Sequence, residues 1–357
     1  MAVDGKVVNG RGAQAQVPNR FLRNSYGVVH WEGIDEVEEE QGATRYLEVF
    51  PKTILNKVTS PDLSMDWSLN PYQGCEHGCA YCYARPTHEY WGYGAGLDFE
   101  RVVLMKRDAP ALLEKALQHP KWDVGIISIS GNTDCYQPIE RKEGITRRVL
   151  EVAQRFNQPV GIITKNALVL RDLDILSEMA AHRLASVAIS LTTLDEDLRR
   201  KLEPRTSTAK NRLRAIEELT AAGVPVHVMV APVIPGLNDS EVPALLKAAA
   251  DAGAKGAGYT VVRTNGAVED VFRLWLETHF PDRASKVVAQ VKHAHQGTMN
   301  DSKFGRRMRG EGAFAENIRR MFHLFKHRYF AGRSIPEMDH TLFRRPPQGQ
   351  LDLFESP

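Results

Sequence analysis

Along most of the chain, short apolar runs rich in β-branched residues alternate with longer stretches whose apolar residues recur at helical spacing. VGIISIS (124–130) is one such run, and GITRRVLEVAQRF follows it. PVGIITK (159–165) leads into RDLDILSEMAAHR, where Leu173, Leu176 and Ala180 fall at the i, i+3, i+7 spacing of one helix face. ASVAISL (185–191) precedes NRLRAIEELTAAG, whose Gly223 stands where a helix C-cap is expected. VPVHVMVAP (224–232) precedes SEVPALLKAAADAG, and GAGYTVV (256–262) closes the series. Together with a strand entering the segment at 70–86, this predicts about six strand–helix units. Such alternation means α/β class, a parallel sheet with helices outside.

The two ends read differently. Residues 1 to about 45 are Gly-, Gln- and Asn-rich and then acidic, with weak periodicity, so 1–64 is expected to be a loosely ordered arm and lead-in. Residues 65–265 form the core, and 266–345 a helical, basic extension covering the open side of the sheet. The tail, 346–357, contains Pro346, Pro347 and Gly349 and is expected to be extended. No solenoid repeat or low-complexity tract appears.

Composition adds boundaries. A chain of 357 residues, 43% apolar and 25% charged, suits one large or two modest domains with a real core. A formal net charge of +2 names no partner. No apolar run approaches the ~20 residues of a membrane span, and no signal peptide opens the sequence. Four cysteines do not make a disulfide framework, so a reducing, cytoplasmic setting is expected.

Three of those cysteines crowd into NPYQGCEHGCAYCYARP (70–86): Cys75, Cys79 and Cys82, spaced C-x3-C-x2-C. Buried thiols acting as small hydrophobes are one reading, but Glu76, His77 and Gly78 between them are poor core residues. Structural zinc wants four ligands, so His77, His88 or Cys135 would have to complete the set. An iron–sulfur cluster held by three thiolates would keep one iron open, as a catalytic metal site does.

With Tyr81 supplying the aromatic residue before the third cysteine, this triplet resembles the signature of the radical S-adenosylmethionine (SAM) superfamily. The resemblance implies a partial (β/α)6 TIM-type barrel, a [4Fe-4S] cluster and SAM as the ligand of the open iron. It also implies reductive cleavage to a 5′-deoxyadenosyl radical, with an external electron donor such as flavodoxin or ferredoxin. Active residues then belong at the C-terminal ends of the strands. SGNTDCYQPIE follows the second strand; as a plain sequence it is a turn. In the family that position binds the methionine amino group, a role carried here onto Ser130, Gly131, Asn132, Thr133 and Asp134. Lys165, after the third strand, and Arg205, in EPRT, are candidates for the methionine carboxylate. Ser190 is a candidate for the ribose, and Pro235 and Gly236 for backbone contact with adenine.

The pattern is most similar to the spore photoproduct lyase branch, which reverses a thymine dimer. There a cysteine just before the strand-end Ser-Asp pair donates hydrogen; here Cys135 follows Asp134. Cys135 and Tyr136 are therefore candidates to face substrate and quench a radical, or else are packed under the loop. The next segment, YARPTHEYWGYGAGLDFE, interleaves Tyr83, Tyr90, Trp91 and Tyr93 with Arg85 and His88. It reads as a rigid loop over the barrel edge or as a stacking platform for a nucleobase.

Residues 301–345 hold eleven Lys or Arg against five Asp or Glu. Within them KFGRRMRG is either a phosphate contact or a solvated helix face. In the tail, Gln350, Leu351, Asp352, Leu353 and Phe354 look like the peptide by which bacterial repair and replication proteins dock on the DNA sliding clamp. The combined expectation is a radical SAM enzyme acting on nucleic acid, in DNA repair. The alternatives are the same chemistry on a peptide, a tRNA or a small metabolite, and a non-catalytic iron–sulfur or zinc scaffold that binds nucleic acid.

Overall fold

The computed structural model describes residues 7–21 and 43–347. Six strands run parallel in one sheet: β1 (Trp67–Leu69), β2 (Ile127–Ile129), β3 (Val160–Thr164), β4 (Ala185–Ser190), β5 (Val226–Val233) and β6 (Gly256–Val261). Each pairs with the next, so spatial order follows chain order, with Val160 opposite Ala185 and Val187 opposite Val226. A further strand, Leu55–Lys57, adds antiparallel to the outer edge of β1. Among the described residues no strand joins that edge to β6, and the barrel stays open. This is the partial (β/α)6 architecture expected from the sequence.

Five helices return the chain between strands: α1 (Ala109–Gln118), α2 (Ile145–Arg155), α3 (Leu173–Ala181), α4 (Ala209–Ala221) and α5 (Val242–Asp251). Each buries an apolar stripe on the sheet, as with Ala215, Ile216 and Leu219 of α4 and Leu245, Leu246 and Ala249 of α5. Gly223 does end α4: at φ +82° it lets Val224 N–H bond back to the Leu219 carbonyl at 2.9 Å. β2 is shorter than its apolar run. The Asp66 carboxylate takes the Ile126 N–H at 2.8 Å and so ends the ladder there.

Beyond the sheet, α6 (Val268–His279) and α7 (Pro281–Ala294) build a second core. In it Phe272, Trp275, Leu276 and Val291 pack against Cys79, Ala80 and Tyr81. The last helix, α8 (Gly312–Phe330), lies on α5 and β6, with Phe322 4.5 Å from the Tyr259 ring. KFGRRMRG forms turns, not the solvated helix face that was one expectation. The turn bridges the open seam: Val261 N–H bonds to the Met308 carbonyl at 2.9 Å, and Arg307 pairs with Asp62 at 2.6 Å. No helix among the described residues is long and apolar enough to cross a membrane.

Part of the expected loose arm is packed. Residues 11–15 are all buried. Ala13 and Gly12 N–H donate to the two Glu100 carboxylate oxygens at 2.7 and 3.2 Å. Gly12 sits against the cysteine loop so closely that a Cβ there would stand 1.8 Å from the Gly78 carbonyl oxygen. Gly12→Ala should therefore lower unfolding stability by about 1–3 kcal/mol, the range for forced overpacking. Amides 75–80 should also lose hydrogen-exchange protection, measured by mass spectrometry; unchanged exchange would show that this contact does not hold the loop.

Candidate active site

The loop after β1 carries the three cysteines, and its backbone is pinned from several sides. Cys75 N–H bonds to the Phe99 carbonyl at 2.8 Å, Ala80 N–H to Leu202 at 3.0 Å, and Glu76 N–H to the Gln137 side chain at 3.0 Å. Beneath it lies Arg85, fully buried, which donates to the Cys79 carbonyl from Nε and Nη2 at 3.1 and 2.8 Å. It also bonds to the Ala95 and Gly96 carbonyls and pairs with Glu100 at 2.5 Å.

So held, Cys75, Cys79 and Cys82 are all free thiols and line one cavity at the strand C-terminal ends. Opposite them stand residues 130–134, with Tyr81 and Lys165 at the sides. The donors fit a cluster better than a single ion. Among the described residues no three His, Cys, Asp or Glu side chains converge as one metal ion needs, whereas in a cluster each thiolate takes a different iron. Burial pushes the Cys79 and Cys82 thiols up, so their deprotonation awaits a bound cation. Of the three residues that could have completed a zinc site, His88 packs between Tyr93 and Phe99, and Cys135 lies in the main core. Only His77 reaches the cavity.

Asp134 organises the opposite wall. One carboxylate oxygen accepts from Tyr136 N–H at 2.9 Å and Thr164 Oγ1 at 2.7 Å; the other accepts from Lys165 N–H at 2.7 Å and faces His77 Nδ1 at 3.4 Å. Burial alone would raise its pKa, but His77 and these donors bring it down to about 2. The far nitrogen of His77 lies 3.3 Å from Asn166 Nδ2. Ser130 turns the corner at φ +85°, a strained conformation for a residue with a side chain, while its Oγ accepts from Cys135 N–H at 2.9 Å. Asn132 N–H bonds to the Asn70 side chain at 2.9 Å, and the exposed Tyr83 closes the ring by donating its hydroxyl to the Gly131 carbonyl.

Other expected residues are placed variously. Lys165 Nζ reaches Ser190 Oγ at 2.9 Å and sits 5.8 Å from the Tyr81 ring. Arg205 does not line the cavity; it pairs with Glu76 at 3.2 Å. Pro235 and Gly236 form the turn after β5, with Gly236 N–H on the Asp239 carboxylate, and do not line the cavity either. Cys135 and Tyr136 are fully buried; the Tyr136 hydroxyl bonds to Asp172 at 3.0 Å, and neither residue faces the cavity. Residues 350–354 lie outside the described residues.

Sequence reasoning missed Glu203 and Arg212. Glu203, fully buried, accepts from the Tyr81 hydroxyl, from Thr192 Oγ1 at 2.7 Å and from Arg212. Burial would raise its pKa, but Arg212, Lys165 and Tyr81 hold it near 2. Arg212 also donates to the Ser190 carbonyl at 2.9 Å, fastening the cysteine loop to the end of β4. Nothing local marks either residue: Glu203 meets Tyr81 across 122 positions, and Arg212 meets the end of β4 only in the fold.

Comparison with known proteins agrees with this geometry. The family model described as the radical SAM superfamily matches residues 69–249. An uncharacterized protein of Mycobacterium tuberculosis is 37% identical over 242 residues, covering 67% of this chain and 71% of its own. One from Methanocaldococcus jannaschii is 30% identical over 173 residues, 48% of this chain and 62% of its own. In fold the chain is similar to spore photoproduct lyase, solved with bound AdoMet and dinucleoside spore photoproduct. The TM-score is 0.57 at 16% identity over 80% of each chain.

Cys75→Ala, Cys79→Ala and Cys82→Ala should each abolish iron–sulfur loading after anaerobic reconstitution, each removing one of three protein ligands. Cys135→Ala should load like wild type. A full, reducible cluster in the Cys79 variant, seen by iron analysis and electron paramagnetic resonance, would contradict the ligand set.

Proposed function

The chain belongs to the radical SAM superfamily, and from that premise we propose that it modifies nucleic acid in a repair-type reaction. Its cofactors are a [4Fe-4S] cluster and S-adenosylmethionine. When bound, they supply a 5′-deoxyadenosyl radical, formed by one-electron cleavage of the sulfonium with an electron from an external donor such as flavodoxin or ferredoxin.

The chain's own residues fit the remaining tasks. Cys75, Cys79 and Cys82 hold the cluster. The polar wall of residues 130–134 offers the methionine amino group its acceptors; Lys165 is the cation positioned for the carboxylate, while Arg205 is occupied by Glu76. Ser190 lies within reach of Lys165 and so near any ribose placed there.

One observation carries the substrate reading: exposed aromatic rings crowd the segment that leaves the cysteine loop. Tyr83 lines the cavity and is 52% exposed; farther along the segment are Tyr90 and Trp91, with Phe21 4.9 Å from Tyr90 and Arg20 over both rings. Such rings offer flat faces, and a nucleobase is a partner that stacks on them. The fold neighbour that holds a dinucleoside lesion supports the same class. Thymine-dimer reversal with Cys135 as hydrogen donor is not part of the proposal, because that thiol is sealed in the core. Modification of a peptide, a tRNA or a small metabolite is the second reading, and a non-catalytic scaffold the third.

Deuterium transfer separates these readings. Reconstituted protein with dithionite should yield 5′-deoxyadenosine and, with a damaged oligonucleotide deuterated at the reacting sugar or base, deuterated 5′-deoxyadenosine. Transfer from a peptide instead would move the assignment to the second reading; no cleavage at all would leave a scaffold. Lys165→Ala should weaken SAM binding by roughly 1.5–3 kcal/mol, one charge-assisted hydrogen bond, and Arg205→Ala should change it far less.

The tail fits the proposal as a docking peptide, with Leu353 and Phe354 as anchors and Gln350 at the pocket rim. A synthetic peptide of residues 346–357 should bind purified bacterial sliding clamp at micromolar affinity. Leu353→Ala with Phe354→Ala should remove that binding, and an inert wild-type peptide would refute the docking.

A further inference from the structure

Arg263 stands two residues beyond β6, at the same end of the sheet as the cysteines. Its neighbours are fastened: Val262 N–H bonds to the Val233 carbonyl at 2.9 Å, and Thr264 N–H to the Met299 carbonyl at 3.0 Å. One step on, Asn265 Nδ2 reaches the backbone carbonyl of Tyr83 at 3.3 Å, which sets this turn against the cavity rim. The Arg263 side chain is half-buried, yet among the described residues it makes no hydrogen bond and no ion pair.

Arg307, the nearby cation, pairs with Asp62 at 2.6 Å and donates to Ser60 Oγ at 2.6 Å. Asp301 is taken by Arg306 at 2.5 Å. The charges of both carboxylates reach Arg263, but their direct ion pairs are with Arg307 and Arg306. Burial, then the Arg307 charge, push its pKa below the ordinary arginine value, while Tyr83, Asp62 and Asp301 pull the other way. A half-buried guanidinium beside another cation gains from an anion that pairs with it. Its planar fork matches the two free oxygens of a phosphodiester.

We propose that Arg263 is a phosphate-binding residue of the substrate site, gripping the phosphodiester next to a base stacked on Tyr83. This rests on the nucleic-acid reading and deepens it. A strand with its reacting base over the cavity would run its backbone from the Tyr83 rim toward the seam turn. There Arg263 supplies a half-buried cation that, among the described residues, no carboxylate pairs with. The contact reads phosphate and not sequence, so it sets register: which nucleotide reaches the cavity.

The test uses reconstituted holoprotein with SAM and a fluorescein-labelled eight-nucleotide thymidine strand, followed by anisotropy across a salt series. Arg263→Gln should weaken binding roughly tenfold to a hundredfold, the size of a charge-assisted hydrogen bond, and flatten the salt slope by about 0.7, one single-strand phosphate. Arg309→Gln, removing an exposed arginine of the seam turn, should cost much less. A methylphosphonate scan with unaltered protein provides a measurement independent of the variant's folding. One neutralised linkage should reproduce the loss, and that loss should not add to the Arg263→Gln loss. Equal losses in the two arginine variants, or a scan with no sensitive linkage, would overturn the assignment while leaving nucleic-acid binding intact. Absence of binding by the wild-type protein to single-stranded and duplex DNA and to RNA would overturn both this assignment and the reading it rests on.

Discussion

The buried Arg85–Glu100 pair is the constraint on which the site depends. Two opposite charges removed from water are tolerable only when their remaining hydrogen bonds are made. Here that saturation does the architectural work. The other donors of Arg85 hold the carbonyls of Cys79, Ala95 and Gly96, and Glu100 accepts from Gly12 and Ala13. The cysteine loop, the segment that follows it and the distant N-terminal arm are thus tied to one ion pair. Removing either partner strands a buried charge, a loss of about 3–5 kcal/mol in comparable cases. Gly78 belongs to the same device: a Cβ there would stand 2.8 Å from the Glu100 carboxylate, at a φ of +65° that side chains rarely adopt.

Two further buried carboxylates set the walls against one another. Asp134 joins the ends of β2 and β3 to His77, and Glu203 joins Tyr81 to Arg212 and through it to β4. Both remain ionised because donors converge on them from separate elements. Ordered backbone around an open cavity is the preorganisation that radical chemistry demands, since a loosely held reactive centre would meet water or its own side chains.

The open seam explains the position of the basic turn. Among the described residues the sheet is not closed, and the β6 edge would expose unpaired backbone groups. The segment after α7 covers part of that edge with its own backbone, through Val261 and Met308, and anchors across the gap on Asp62. A run of cations is thereby brought beside the mouth of the barrel, with the aromatic segment that leaves the cysteine loop nearby.

Much of this was legible in the sequence. The alternation of β-branched runs with 3.6-period stretches determined the six units and their parallel pairing, because burial of both sheet faces leaves few other ways to arrange such a pattern. The C-x3-C-x2-C spacing, with Tyr81 before its third cysteine, pointed to the superfamily and through it to the cofactors. Strand-end positions pointed to residues 130–134 and Lys165, all of which line the cavity. What only the tertiary structure decided was side-chain direction and long-range pairing. Cys135, one residue past Asp134, turns into the core because the strained Ser130 corner and its bond to Cys135 N–H set the backbone orientation there. Arg205, equally plausible from its motif, meets Glu76 instead of the cavity. The arm reads as loose because its own composition cannot build a core, yet residues 11–15 are ordered by a carboxylate nearly 90 residues away. Local sequence determines which elements form; which charges meet inside depends on where the chain brings distant residues, and no spacing rule encodes that.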